Sequence, residues 1–410
     1  MPANMTSAGL SPSPPPSPRR LLSVVAIALV CGYATVLFGA WHGGQWLADP
    51  LGRPIANDFV NVWAAGDLVR QGVAADAYNW TLHKIAEVRA LGYDFPDYYG
   101  WHYPPPFLAV AAGLAMLPYS VALTGWLAIT LAAYLIVVGA ILRPRAPLIV
   151  ALAWPALVWN ATAGQNGCFT AALIGATLLT LPTRPLVAGL CLGLLTYKPQ
   201  FGLLFPLALM AAGQWRTIAV AAATAIVMAL ASLVAFGTAP WVAFLDGLGH
   251  TSDIVLRQGL ADLNRLQSVF GLVRAHGGDM TLAWTLQGLT TAIAALAVIV
   301  VWRSRAPHAL KAATLATGTV LATPYLYMYD LVILAVAVAF LIRDALPSRG
   351  EAALLGLAVI AILVFPYVTT HVGLIATLLV AALIVQRLLR GARHQTEVAG
   401  AAQPRHVATQ

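Results

Sequence analysis

Charge is what this chain has least of: only 9% of its 410 residues are Asp, Glu, Lys or Arg, against about a quarter in a water-soluble globule. With 60% of residues apolar and a mean hydropathy of +0.79, the composition excludes a soluble domain. It requires a polytopic membrane protein, and the abundance of Ala, Leu and Val selects helices over a barrel. A clustered basic face is also lacking: Arg and Lys recur singly or in pairs between apolar blocks, so the net charge of +8 does not indicate a nucleic-acid partner. Cysteine is scarce as well. Cys31, Cys168 and Cys191 each sit in an apolar segment without ligand spacing, which excludes a disulfide framework or a zinc site.

What the chain does have is a series of apolar runs separated by arginines. Residues 1–18, with Ser-Pro-Ser-Pro-Pro-Pro-Ser-Pro, have little to bury and read as a disordered cytoplasmic tail. Arg19 and Arg20 then precede Leu21 to Ala40, long for a cleavable signal core and about one bilayer span. Runs near 21–40, 120–142, 147–163, 167–182, 186–197, 200–213, 217–237, 282–302, 309–322, 328–342, 352–366 and 370–389 give about twelve crossings. With the N-terminus inside, Arg143, Arg145, Arg184, Arg216, Arg303, Arg305, Arg343, Arg349, Arg387, Arg390 and Arg393 all fall on the cytoplasmic side. This count requires Pro104 to Leu117 to be a re-entrant or surface-lying helix. The expected architecture is therefore an all-α membrane domain over 19–390, with extracytoplasmic loops at 41–104 and 238–281 and a cytoplasmic tail at 391–410.

The chemistry-bearing residues gather on the outer side of that topology. In the first loop, Asn57 or Asp58 can cap a helix running to about Gln71, where Gly72 is a natural stop. Phe59, Val62, Trp63 and Val69 share its apolar side, which suits a helix lying in the membrane interface. Asp67, nine positions after Asp58, points about 180° away, so a paired-acid site is not expected there. A lone carboxylate suits group transfer from a phosphate leaving group, where one base takes the acceptor proton and no acid is needed. Asp58 has two readings, helix cap and general base, and the two are compatible.

The loop ends in Tyr99-Gly100-Trp101-His102-Tyr103-Pro104-Pro105-Pro106, whose aromatics fit either an interface belt or a sugar platform. His102 is structural or catalytic. Gln165 and Asn166, between two glycines, offer amides for hydroxyl recognition, or simply a helix turn. Lys198 breaks the cytoplasmic bias of positive charge and would cost about 2.5–3.5 kcal/mol at a helix centre, which marks it as a candidate phosphate partner. Arg257 and Arg265 in the second loop are further candidates or solvated loop charges. Asp330, beside Tyr325 and Tyr329, can pair with Lys198 or an arginine, bind acceptor hydroxyls, or cap its helix.

Asn57-Asp58-Phe59 with Trp63-Ala64-Ala65-Gly66, then Tyr103-Pro104-Pro105, Gly164-Gln165-Asn166, Tyr197-Lys198-Pro199 and Thr323-Pro324-Tyr325 with Tyr329-Asp330-Leu331, resemble glycosyltransferase family 87. The resemblance covers roughly residues 50–345. Characterised members of that bacterial family include polyprenyl-phosphate-mannose-dependent α-1,2-mannosyltransferases. The resemblance implies a GT-C fold in the inner membrane, with an outward-facing cavity and a polyprenyl-phosphate sugar as donor, and the arginine count above puts both termini in the cytoplasm. It implies a glycan or lipid acceptor, inversion at the anomeric carbon, Asp58 as general base, and Lys198 beside the leaving phosphate. No carboxylate cluster demands a metal. The competing classes are a secondary transporter, against which no internal repeat is found, and a noncatalytic assembly or flippase subunit.

Overall fold

The computed structural model describes residues 17–44, 57–97, 99–252, 263–368 and 370–401, and among them every regular element is helical. Helix α1 (Pro18–His42) begins where Ser17 accepts a hydrogen bond from the Arg20 amide. It stands at the edge of the bundle, with Leu21, Val24, Val25 and Phe38 exposed, and its Tyr33 hydroxyl donates to the Ala153 carbonyl at 2.9 Å.

The first loop is a packed helical unit. Helix α2 (Asn57–Arg70) stops before Gly72, whose φ of 82° suits glycine. Phe59, Val60, Val62, Ala64, Ala65 and Leu68 are buried on it. The side expected to lie in the membrane interface is thus largely covered by protein, because helices α3 (Trp80–Leu91) and α4 (Leu108–Leu114) pack against it. Gly66 permits that approach: a Cβ there would run into the Ala111 carbonyl of α4. Asn79 caps α3 by accepting from the Thr81 and Leu82 amides. The stretch Pro105–Leu114 is a short apolar helix, about half the length that a bilayer core requires.

Helix α5 (Tyr119–Leu142) is long and apolar. The next helices are shorter: α6 (Ile149–Leu152), α7 (Ala156–Ala163), α8 (Gly167–Thr180), α9 (Pro185–Leu194) and α10 (Phe205–Ala211). Helix α11 (Trp215–Phe236) is again long and mostly exposed along its apolar side chains. The second loop contains α12 (Ala239–Ser252) and α13 (Val269–Ala275). After α14 (Met280–Arg303) come α15 (His308–Ala322), α16 (Val332–Asp344), α17 (Arg349–Leu363) and α18 (Val372–Ala401).

Among the described residues five helices, α1, α5, α11, α14 and α18, are each long and apolar enough to cross a membrane. Three of the shorter helices sit inside. Most side chains of α8, α15 and α16 are buried, with α16 packed on α5, α8, α15 and α18. Non-helical backbone is tolerated in such a bundle where protein covers it, and the turns that end these inner helices carry the buried polar residues described next.

Candidate active site

Three turns and one loop helix converge. The first turn follows α7, where Gly164 adopts φ 68° as a left-handed cap and the Gln165 amide bonds back to the Asn160 carbonyl at 3.0 Å. Gly167 then opens α8 directly against a neighbour, since a Cβ there would collide with the Tyr329 carbonyl. The second turn separates α9 from α10: Pro199 keeps the preceding residue out of the helical region, and Lys198 has φ −127° and ψ 73°. The third is the 3₁₀ turn Met328–Leu331 before α16, where an Asp330 carboxylate oxygen accepts from the Tyr327 amide at 3.2 Å.

Asp58 lies in the first turn of α2 and meets these turns. Gln165 Nε2 donates to Asp58 Oδ2 at 3.0 Å, and the neighbouring Tyr329 hydroxyl also favours the ionised carboxylate. Gln165 Oε1 accepts from the Asn166 amide at 3.0 Å and from the Tyr103 hydroxyl at 3.4 Å. Asn166 Nδ2 in turn donates to the Tyr103 oxygen at 2.8 Å. Lys198 Nζ donates to Asp330 Oδ1 at 2.9 Å, with both side chains buried, and lies 5.5 Å from the centroid of the Tyr329 ring.

Burial holds the Asp58 carboxyl above its ordinary value; Gln165 and Lys198 oppose that effect and Asp330 adds to it. A carboxylate so placed is a stronger base than one in water, which suits proton abstraction near neutral pH. Among the described residues no three His, Cys, Asp or Glu side chains are grouped so as to hold a metal ion.

Asp58, Tyr103, Gln165, Asn166, Lys198, Tyr329 and Asp330 therefore share one polar cluster. Tyr325 stands beside it, packed with Tyr327 on Leu266, Phe270 and Ala283. Arg265 is exposed at the rim, where its charge acts on Tyr327. His102 is exposed and meets Trp80 edge-on, with ring centroids 6.4 Å apart. Arg257 lies outside the described residues.

Sequence reasoning passed over three residues. Tyr327 stacks on Tyr329 at 5.4 Å. Gln267 and Ser268, both buried, tie the second loop to the third turn: the Gln267 amide donates to the Leu326 carbonyl at 2.7 Å and Ser268 Oγ to the Pro324 carbonyl at 2.8 Å. A signal existed for Ser268, which precedes an apolar run and caps α13 by accepting from the Gly271 amide. For Gln267 and Tyr327 no local pattern distinguishes site from loop.

No curated protein and no solved structure matches this chain. The family profile of glycosyltransferase family 87 does, over residues 101–324. That interval contains Tyr103, the Gly164–Gly167 turn and Lys198, and ends one residue before Tyr325, while Asp58 precedes it. Because the match covers more than half of the 410 residues, the chain belongs to glycosyltransferase family 87.

Proposed function

We propose that this membrane glycosyltransferase moves a hexose, mannose, from a polyprenyl-phosphate donor to a hydroxyl of an envelope glycolipid or glycan, with Asp58 as general base. The acceptor oxygen bonds to the anomeric carbon as its proton passes to Asp58. The bond from that carbon to the phosphate oxygen breaks, and its electron pair leaves with the lipid phosphate. A single displacement of this kind inverts the anomeric centre. Lys198 supplies positive charge to the departing phosphate, and Asp330 holds the ammonium in place.

The observation that carries this reading is the presence of Asp58 and Lys198 in one buried cluster, each acting on the other's charge. A base for the acceptor and a cation for the leaving group are the two functions that transfer from a lipid phosphate needs, and bound geometry supplies much of the remaining acceleration. In this reading the chain crosses about twelve times, so that the arginine pattern supports an outward-facing cluster with both termini inside, and the family resemblance supports a bacterial inner membrane. Donor and acceptor then reach it through the bilayer and its outer surface.

The test is transfer by the purified protein in liposomes, supplied with radiolabelled polyprenyl-phosphate-mannose and a membrane lipid extract. Labelled product with inverted anomeric configuration is expected. Absence of product from polyprenyl-phosphate-linked mannose, glucose or galactose would overturn the donor class, and product with retained configuration would overturn the single displacement.

A further inference from the structure

Gln165, Asn166 and Tyr103 read from the sequence as groups for sugar recognition, yet in the structure both acceptor positions of Gln165 and the Tyr103 hydroxyl are engaged within the cluster, and Asn166 Oδ1 is buried out of contact with solvent. A Gln side chain offers two N–H donors and one carbonyl oxygen with two lone pairs. Both acceptor positions are taken: Oε1 receives the Asn166 backbone amide at 3.0 Å and the Tyr103 hydroxyl at 3.4 Å. A backbone amide can only donate, so Oε1 must face it and the NH₂ end must face Asp58 Oδ2, 3.0 Å away. The orientation of this amide is therefore determined by its surroundings rather than left open. The Asn166 side chain in turn donates to the Tyr103 oxygen at 2.8 Å, which fixes the tyrosine hydroxyl.

All three residues are buried, at 7%, 1% and 8% exposure for Gln165, Asn166 and Tyr103, and their hydrogen bonds run to one another and to Asp58. The Tyr103 ring is wedged by Trp101 at 4.9 Å and Phe107 at 4.8 Å. Backbone constraints at Gly164 and Gly167 hold the turn on either side.

We infer that Gln165 is a positioning residue, which orients the Asp58 carboxylate for proton abstraction, and that Tyr103 and Asn166 hold Gln165 in register without meeting the sugar. The inference rests on the reading of Asp58 as base. It predicts a division of kinetic effects: losing Gln165 slows turnover of bound substrate and leaves substrate affinity in place. It also predicts a change in pH dependence, because the donor favours the ionised carboxylate. Lys198, Asp330, Tyr329, Tyr327 and Tyr103 are the other titratable groups acting on Asp58 or acted on by it, and all of them remain in a Gln165→Leu protein.

The experiment is steady-state transfer by wild type, Gln165→Leu and Tyr103→Phe across pH. Gln165→Leu should lower kcat by about 10- to 100-fold, the cost of a misplaced reacting group, with both KM values near those of wild type and the acidic limb of the profile moved to higher pH. Tyr103→Phe keeps the ring and removes only the hydroxyl, and should change kcat and the limb in the same direction by less. A rise in donor or acceptor KM with the acidic limb unmoved would overturn the inference in favour of sugar binding. If Gln165→Leu does not fold, Tyr103→Phe carries the same readouts, and an unchanged kcat there overturns it. Wild type inactive with every donor defeats the functional reading, and an active Asp58→Asn protein defeats the base; both outcomes are distinct from failure at Gln165, and either removes the inference with it.

Discussion

At the C-terminal end of α16, Arg387 grips Glu351 through two hydrogen bonds at 3.1 and 3.2 Å, donates to the Ala345 carbonyl at 3.1 Å, and pairs with Asp344 at 3.6 Å. Glu351 also receives Arg390 at 3.1 Å and the Ser348 amide at 2.9 Å. At the other end of the helix, about 20 Å away by its thirteen residues, buried Lys198 has Asp330 as its one hydrogen-bond acceptor among the described residues. Asp58 there remains partly exposed. Both ends bury charge, but the first cluster closes on itself and ties α16, α17 and α18 together. The second leaves an ammonium with unused donors and a carboxylate with unused acceptor capacity. Saturated charge is structural; charge with spare bonding capacity can meet a substrate.

That contrast breaks first under removal of the two cations. Lys198→Met should cut transfer by about 100-fold or more, the scale for losing one donor to a developing anion. Arg387→Met should leave the kcat of the folded protein near wild type while costing about 3–5 kcal/mol of stability, the usual effect of stranding buried carboxylates. Transfer rate and thermal unfolding in detergent separate the two. Lys198→Met also strands Asp330, so the double variant Lys198→Met with Asp330→Asn is the sharper test: it should regain thermal stability and stay inactive. Slow turnover in a folded Arg387→Met protein would erase the distinction.

Glycines at the two ends should behave in opposite ways. Gly167→Ala places a methyl against the Tyr329 carbonyl and Asn160 Oδ1, an overpacking that costs about 1–3 kcal/mol and disturbs the site. Gly356, inside α17, has nothing within 4 Å of an added Cβ, so Gly356→Ala should stabilise by about 0.5–1 kcal/mol. Melting temperatures of the two variants shifting the same way would contradict this placement of the site turn.

A third buried pair, His83 and Glu87 on α3, lies 3.7 Å apart with no exposed side-chain surface. Burial pushes Glu87 up from 4.5 to about 9, against the pull of Lys84, and pushes His83 down from 6.5 to about 3, helped by His102. Glu87 therefore contributes stability that is full below pH 4.5 and fades as pH rises towards 9. His83 contributes stability that is full above pH 6.5 and fades as pH falls towards 3. The two losses offset between pH 4.5 and 6.5, so protection of the α3 amides in hydrogen exchange should be greatest there and decline on either side. Protection still undiminished at pH 9 would show that Glu87 is not held neutral.

Much of this architecture is legible in the sequence because it is local. The long apolar runs appear as α1, α5, α11, α14 and α18, and Gly72 ends α2 where its spacing predicts. Asp67 does turn away from the site, to Arg89 and Gln71 at 2.7 Å each. What the sequence hides is separation in the chain. Gln165 reaches a carboxylate 107 positions away, a contact with no local pattern, whereas the pairing of Lys198 with Asp330, 132 positions apart, is one of the alternatives that the sequence offers for Asp330. His102 illustrates the reverse, since a motif neighbour of Tyr103 ends up on the surface while Tyr103 turns inward. The second loop reads as polar connection, yet Gln267 anchors it to the site through its backbone amide, which carries no residue-specific signal, and Ser268 through its hydroxyl, which the sequence marks only as a helix cap.

The most direct test of Asp58 as base is the transfer rate of an Asp58→Asn protein, measured beside its affinity for polyprenyl-phosphate-mannose. The account predicts near-normal donor binding with transfer reduced by about 10²- to 10⁴-fold, the contribution of a general base. Transfer within a few-fold of wild type would contradict it and return Asp58 to the role of a helix cap.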